Sequence, residues 1–292
     1  MKVLHADAGR EMRGGQWQVL NLHAGLGADS VLLCRDGGPL MRECQHRGLR
    51  AEALSIAALA AQSRKVDITH VHDARSHTWA AAVGGSLLVV SRRVAFPIGR
   101  SWLSGWKYSR ADHYIAVSQH VRSILCGAGV PAPKISVVHD GVDLPAATAI
   151  GTDIVAVATD DPMKGSALLN EAAALAGISI RYSTNLPPDL LNAALFVYIT
   201  HSEGLGSAAL LAMAAGVPVV GSNVGGLPEI VQNEVTGVLT ENTPQAIADA
   251  IRHALTMREI LARNARKSIE DGFTTGAMLN NTIRVYERVL GC

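Results

Sequence analysis

Short apolar runs return along almost the whole chain, and most are followed by a stretch of helical spacing. In the first half the runs are "KVLHA" (2–6), "DSVLLC" (29–34), "DITHVH" (67–72), "SLLVVS" (86–91), "HYIAVS" (113–118) and "ISVVHDGV" (135–142). Between them lie "GQWQVLNLHAGL", "GPLMRECQHRGL", "HTWAAAVGG" and "SQHVRSILCGAG", several ending on a glycine that can close a helix. A continuous apolar run suits a strand buried on both faces. Alternation of such strands with helices predicts parallel sheets covered on both sides. The pattern pauses at "DLPAATAIGTD" (143–153) and restarts with "IVAVATD", "ISIRYST", "LFVYIT" and "VPVVGS". The expected fold class is therefore α/β, with two doubly wound Rossmann-like domains, 1–146 and 147–276, facing a central cleft. A last helix, 277–292, is expected to pack back on the first domain.

Composition narrows the function classes. Hydrophobic residues make up 48% of the 292 and charged residues 17%, ample for two cores, with Ala, Val, Leu and Gly as filler. A net charge of +1 gives no global electrostatic footprint for nucleic acid. The four cysteines, Cys34, Cys44, Cys126 and Cys292, are scattered without a CxxC pair, which argues against a disulfide or metal framework and for a reducing cytoplasm. No run approaches the about 18 apolar residues of a membrane span, so the expectation is a cytoplasmic chain, at most peripheral to a membrane.

Ligands of doubly wound sheets bind beyond the carboxyl ends of the strands. Just after the strand at 195–200 stands "THSEGLGSAALLAMAAG". Glu203 lies in a turn, Gly204, Leu205, Gly206 and Ser207 lead into the helix, and the first helical amides lack partners within it. Their dipole favours an anion such as phosphate. Glu203, itself anionic, is suited to accept hydrogen bonds from sugar hydroxyls. A tight turn with an early-helix charge is the plainer alternative.

The continuation, "EGLGSAALLAMAAGVPVVGSNVGGLPEIV" with "TGVLT" and "TPQAIADAIRHAL" after it, resembles the donor-binding domain of retaining glycosyltransferases of the GT-B fold. That family includes bacterial cell-envelope glycosyltransferases and sucrose synthases. The resemblance extends to "KYSRADHYIAVSQHVRSILCGAGVPAPKISVVHDGVD" and to "RGG" at 13–15. It implies transfer of a sugar from a nucleotide diphosphate-sugar co-substrate, with no other cofactor and no metal, to a glycan or lipid-linked acceptor in envelope polysaccharide or lipopolysaccharide assembly. The departing phosphate helps deprotonate the acceptor, so no protein nucleophile is demanded. Glu203 matches the first acid of the family's paired-acid motif; the second, which holds the ribose, is here Leu211. Lys164 matches a lysine that neutralises the diphosphate, whereas the companion arginine position is Thr159. Gly225 and Gly226 match a loop facing the donor, and Glu229 either contacts the donor or caps a following helix.

In the first half, the resemblance places Gly14 and Gly15 under the diphosphate or the acceptor. Arg13 can supply the missing cation or face solvent. His70 and His72 alternate onto one face; His72 is assigned a sugar-hydroxyl contact and, with Glu203 and Lys164, a place in the catalytic set. "TDD" (159–161) reads as a turn, not a metal motif. The segment 89–110 mixes Arg92, Arg93, Arg100, Lys107 and Arg110 with Phe96, Trp102, Trp106 and Tyr108. Arg92 or Arg93 stands where the family often has a histidine. The mixture fits an acceptor loop for an anionic glycan or for a phospholipid-like, anionic membrane surface, or else an exposed charged helix anchored by its Trp residues. Two other functions compete. Leu211 and Thr159 motivate a catalytically degenerate relative that binds a glycan or a partner subunit. A nicotinamide enzyme shares the alternation, but "DAGREMRGG" is not GxGxxG.

Overall fold

The structure is a computed structural model, described for residues 1–99 and 101–291; Arg100 and Cys292 lie outside the described residues. Two compact units divide the chain, one of residues 1–139 with the segment from 276 onward, the other Asp140–Thr275.

The first unit runs β1 (Val3–Asp7), α1 (Gly14–Leu26), β2 (Ser30–Cys34), α2 (Pro39–His46), β3 (Ala51–Ala53), α3 (Ile56–Ser63), β4 (Ile68–Val71), α4 (Ala74–Val83), β5 (Leu87–Arg92), α5 (Trp102–Ser109), β6 (His113–Ala116), α6 (Gln119–Gly127) and β7 (Ile135–Val137). Its seven strands are parallel in the order β3-β2-β1-β4-β5-β6-β7. The second unit contains β8 (Asp153–Val157), α7 (Ser166–Ala176), β9 (Arg181–Ser183), α8 (Leu186–Leu190), β10 (Ala193–Tyr198), α9 (Ser207–Ala214), β11 (Val219–Ser222), β12 (Gly237–Thr240), α10 (Pro244–Thr256) and α11 (Arg258–Gly272). Its parallel order is β12-β11-β10-β8-β9. The closing helix, α12 (Thr275–Leu290), belongs almost wholly to the first unit.

The apolar runs become the central strands because both of their faces are covered. Val3, Ile68, Val89 and Ile115 from β1, β4, β5 and β6 pack against Leu22 of α1 and against Met278, Val285 and Tyr286 of α12. Nearer the β2 edge of the same face Val19, Leu20, Leu32, Leu40 and Met41 form a separate cluster, and on the opposite face Leu4, Leu33 and Val71 are buried as well. In the second unit Ile154, Leu195, Val197 and Val220 meet Leu169 of α7 and Ile247 and Ile251 of α10. Each such side chain contributes about 1.5–3 kcal/mol by leaving water.

The second unit begins at Asp140, not at 147. Val142 bridges Thr274 and its amide donates to the Phe273 carbonyl, so residues 140–143 are clasped to that unit's end ahead of the Ala/Pro-rich stretch. The strand expected over 135–142 is correspondingly short, stopping at Val137.

The strand orders place a switch point between β1 and β4 in one unit and between β8 and β10 in the other. There, adjacent strands send their connections to opposite faces and leave room at the carboxyl ends.

Candidate active site

At the β8/β10 switch point two loops are fastened together. Asp161 caps the turn Pro162–Lys164 through the Met163 amide (2.9 Å), and its own amide donates to Thr159 Oγ1 (3.1 Å). The Met163 carbonyl accepts from the His201 amide (2.8 Å) and from Thr200 Oγ1 (3.2 Å). This seats Lys164 beside the turn that opens α9.

Lys164 Nζ donates to Glu203 Oε2 at 2.8 Å and to the Tyr198 hydroxyl at 3.1 Å, and Tyr198 in turn donates to the same Oε2 at 2.5 Å. Glu203 Oε1 accepts from the Gly204 amide at 3.1 Å. Burial and the neighbouring Glu203 carboxylate push the Tyr198 phenol well above its usual range, so it remains a donor. The Lys164–Glu203 pair is only partly exposed, 31% and 16% at the two side chains. A cavity of about 140 Å³ lies alongside, lined by Thr159, Lys164, Ser166, Tyr182, Tyr198 and Ala208 among others.

The α9 turn is shaped by a second loop. Gly206, at φ +113°, caps the helix. A Cβ on Gly225 would stand 2.1 Å from the Glu203 carbonyl oxygen, and one on Gly226 would stand 2.0 Å from that of Gly204. The Gly226 amide donates to Glu203 O at 3.1 Å. These two glycines therefore hold the Glu203 turn by close backbone approach. Leu205 is buried as a whole residue, its side chain packed inward behind the turn. Ser207, Ala208 and Leu211 are half-buried. Glu229 ends a short 3-10 turn, and no α-helix follows it for capping.

At the β1/β4 switch point of the first unit the sequence singled out His70 and His72 and missed His5. The parallel register sets His5 of β1 opposite His70 of β4. Arg93 Nη1 lies 3.1 Å from His72 Nδ1, and His72 Nε2 lies 2.9 Å from His5 Nδ1. A guanidinium only donates. His72 Nδ1 is thus the acceptor, Nε2 carries the hydrogen and passes it toward His5 Nδ1, and His5 is protonated on Nε2. That last N–H is buried without a hydrogen-bond partner. His70 spans Ser91 Oγ (2.8 Å) and the Tyr286 hydroxyl (2.6 Å). Burial lowers all three imidazoles, reinforced by Arg93 and by a neighbouring histidine, His23 for His5, His5 for His70 and His70 for His72; His5 falls to about 3 and the others well below 6.5.

His5, His70 and His72 bring ring nitrogens within 4.8 Å of one another, a spacing a metal ion could use. The donor set does not fit: Arg93 obliges His72 Nε2 to keep its hydrogen, leaving no lone pair for an ion, and adds a positive charge alongside.

The remaining first-unit residues separate by role. Gly14 and Gly15 begin α1, and the Arg93 side chain passes over Gly15, its Cδ 3.7 Å from where a Cβ would sit. Gln16 fixes this turn, accepting from the Arg13 amide at Oε1 and donating to the Asp7 carboxylate. Arg13 itself is an exposed residue paired with Glu11 at 2.7 Å. Arg92 is engaged in holding its own segment, donating to the Tyr108 hydroxyl (2.9 Å) and the Phe96 carbonyl. Of the three arginines expected at an acceptor, Arg93 alone is seen against His72 and Gly15.

Residues 178–271 match the family model of the glycosyl transferases group 1, and residues 14–145 match that of Glycosyltransferase Family 4. An uncharacterized glycosyltransferase of Methanocaldococcus jannaschii is 38% identical over 89 residues, 29% of this chain and 23% of that protein. The capsular polysaccharide biosynthesis glycosyltransferase CapM of Staphylococcus aureus is 33% identical over 103 residues, 34% of this chain and 27% of that protein. These matches span about a quarter of the curated relatives' length. Among solved structures, Anabaena HepE in complex with UDP superposes with a TM-score of 0.88 at 15% identity, over 99% of this chain and 100% of HepE. The fold is that of the GT-B glycosyltransferases, and both units carry glycosyltransferase family domains.

Proposed function

We propose that this chain, with glycosyltransferase domains in both of its units, moves a sugar from a nucleotide diphosphate donor to a glycan or lipid-linked acceptor, with retained anomeric configuration and without a metal. The observation that carries the reading is the Lys164–Tyr198–Glu203 group at the mouth of α9, beside a cavity at a strand switch point. The diphosphate would lie on Lys164 and the amides of Gly204–Ser207, where fixed positive charge stabilises the leaving group. Glu203, released from Lys164 as phosphate takes its place, would accept from the sugar hydroxyls. Arg93, Gly14 and Gly15 with His72 are the first-unit groups suited to an anionic acceptor or donor. HepE has been solved with UDP-glucose, which makes a uridine donor the first to try, and CapM makes envelope polysaccharide assembly the first setting.

A thermal-shift panel of UDP-, GDP- and ADP-sugars followed by transfer assays tests the reading, since a specific ligand raises the melting point by mass action. One sugar nucleotide should stabilise the chain, and chelation should leave transfer unchanged. A flat panel together with no calorimetric heat for any nucleotide diphosphate would favour the second reading, a degenerate relative that binds a glycan or subunit. Leu211, Thr159 and the occupation of Lys164 by Glu203 motivate that alternative.

A further inference from the structure

The segment following β5 is unusual in what it leaves uncovered. Val94, Phe96, Trp102, Leu103 and Trp106 are 46%, 61%, 78%, 57% and 37% exposed, and no residue of α5 is buried. On this helix Trp102 and Trp106 stand at i, i+4 and Leu103 and Trp106 at i, i+3, so all three share one side. Tyr108 turns the other way, stacking on Tyr114 (5.7 Å) and edge-on to His77 (5.1 Å). Arg92 joins Phe96 to this helix by bonding both its carbonyl and the Tyr108 hydroxyl. The helix is therefore fixed to the unit by one ring and a few polar bonds, with its aromatic side turned to solvent.

Charge around this side is mainly positive, with Asp73 near Lys107 and Asp112 beside Arg110 as the flanking acids. From 74 to 111 the sequence contains no Asp or Glu. Arg75 and Arg110 are exposed, and Lys107, reaching the Ala74 carbonyl, and Arg110, reaching that of Ala81, continue the Leu103 and Trp106 rows by one turn. Tryptophan sits favourably at the headgroup level of a bilayer, with its ring in the apolar boundary and its N–H in water, and flanking cations attract anionic headgroups. Among the described residues no helix is long and apolar enough to cross a membrane.

We infer that Phe96, Trp102, Leu103 and Trp106, rimmed by Arg75, Lys107 and Arg110, form a peripheral docking surface for a bilayer of anionic phospholipid. Attachment there requires no bound donor and no turnover, so it is measurable apart from any transfer activity. The test is co-sedimentation of the full chain with phosphatidylglycerol/phosphatidylcholine vesicles and with phosphatidylcholine vesicles alone, alongside the Trp102→Ser/Trp106→Ser double variant. The expected result is binding only to the anionic vesicles, weakened by salt, and at least about tenfold weaker in the double variant at an unchanged melting temperature. Brominated lipid should quench the wild-type fluorescence and leave that of the variant, which retains Trp17 and Trp79, unaltered. Failure of the wild type to sediment with anionic vesicles would overturn the inference. So would equal binding by the double variant, which would reveal plain charge adsorption, or a dimer in light scattering that the variant abolishes, which would make a second copy the occupant.

Discussion

Each unit holds a cation near the switch point of its sheet, but the company differs. Lys164 is matched by a carboxylate, Glu203, so the pair carries no net charge until something displaces one member. Arg93 lies against His72, an imidazole that stays neutral because it is buried, and its charge also acts on the Asp7 carboxylate. The contrast separates a cation held in a direct ion pair, which must exchange its carboxylate to receive an anion, from one oriented by a neutral ring. Tyr198 braces the first arrangement, since its protonated hydroxyl accepts from Lys164 and donates to Glu203 while those two also touch directly.

The contrast can be broken most severely by removing either member of the pair. Lys164→Ala and Glu203→Ala should each lower transfer by at least about 100-fold, read as kcat/KM, with the melting temperature moved by no more than a few degrees. Full turnover in both would remove the site from consideration.

Acid should distinguish the units next. His5 and His77 are lowered to about 3, and His23, His70, His72 and His113 are also lowered, all in the first unit. A histidine with a depressed folded pKa takes up more protons when unfolded. The stability it contributes is complete above 6.5 and is lost as pH falls toward the folded value. Between pH 6.5 and about 3 the first unit should lose on the order of several kcal/mol. Peptide-resolved hydrogen exchange should show it opening before the second unit, and simultaneous opening would contradict the assignment of neutral histidines.

A subtler intervention sharpens the comparison. Glu203→Gln removes the negative partner while keeping the shape, so Lys164 becomes available and free UDP should bind about three- to tenfold more tightly by calorimetry. His72→Ala offers no such gain, because it removes no negative charge. The smallest effect is expected from Leu211→Glu. Its side chain is half-buried, so the melting temperature should shift by only about 3 °C or less. Gross unfolding would mean that this leucine is part of the core.

Most of the sheet framework was legible because its inner strands are apolar on both faces. Two strands went unread, β3 with "AEA" and β12 with "GVLT", and both are edges. An edge strand is covered less, so its sequence need not be greasy. At the site, Glu203 and Lys164 stood out singly, but their pairing across 39 positions is a product of how the 162–164 turn docks on residues 200–201. Tyr198 gave no signal, lying in a strand as an ordinary aromatic. His5 had one available clue: "VLHAD" and "THVHD" each carry a histidine ahead of an acid at or just past the end of their strand, and only the parallel register reveals that the two strands are neighbours. Gly225 and Gly226 announced a close approach, while what approached them, the Glu203 turn, was written 22 residues earlier in the chain.

The return of α12 to the first unit has a consequence for how the chain is made. Tyr286 fills the core beside Val3 and Ile68 and supplies the hydroxyl against His70. A nascent chain leaving the ribosome has all seven strands of that unit long before this residue exists. The second unit, being continuous, can finish during translation. The first must wait, its histidine cluster unclosed, until α12 has emerged.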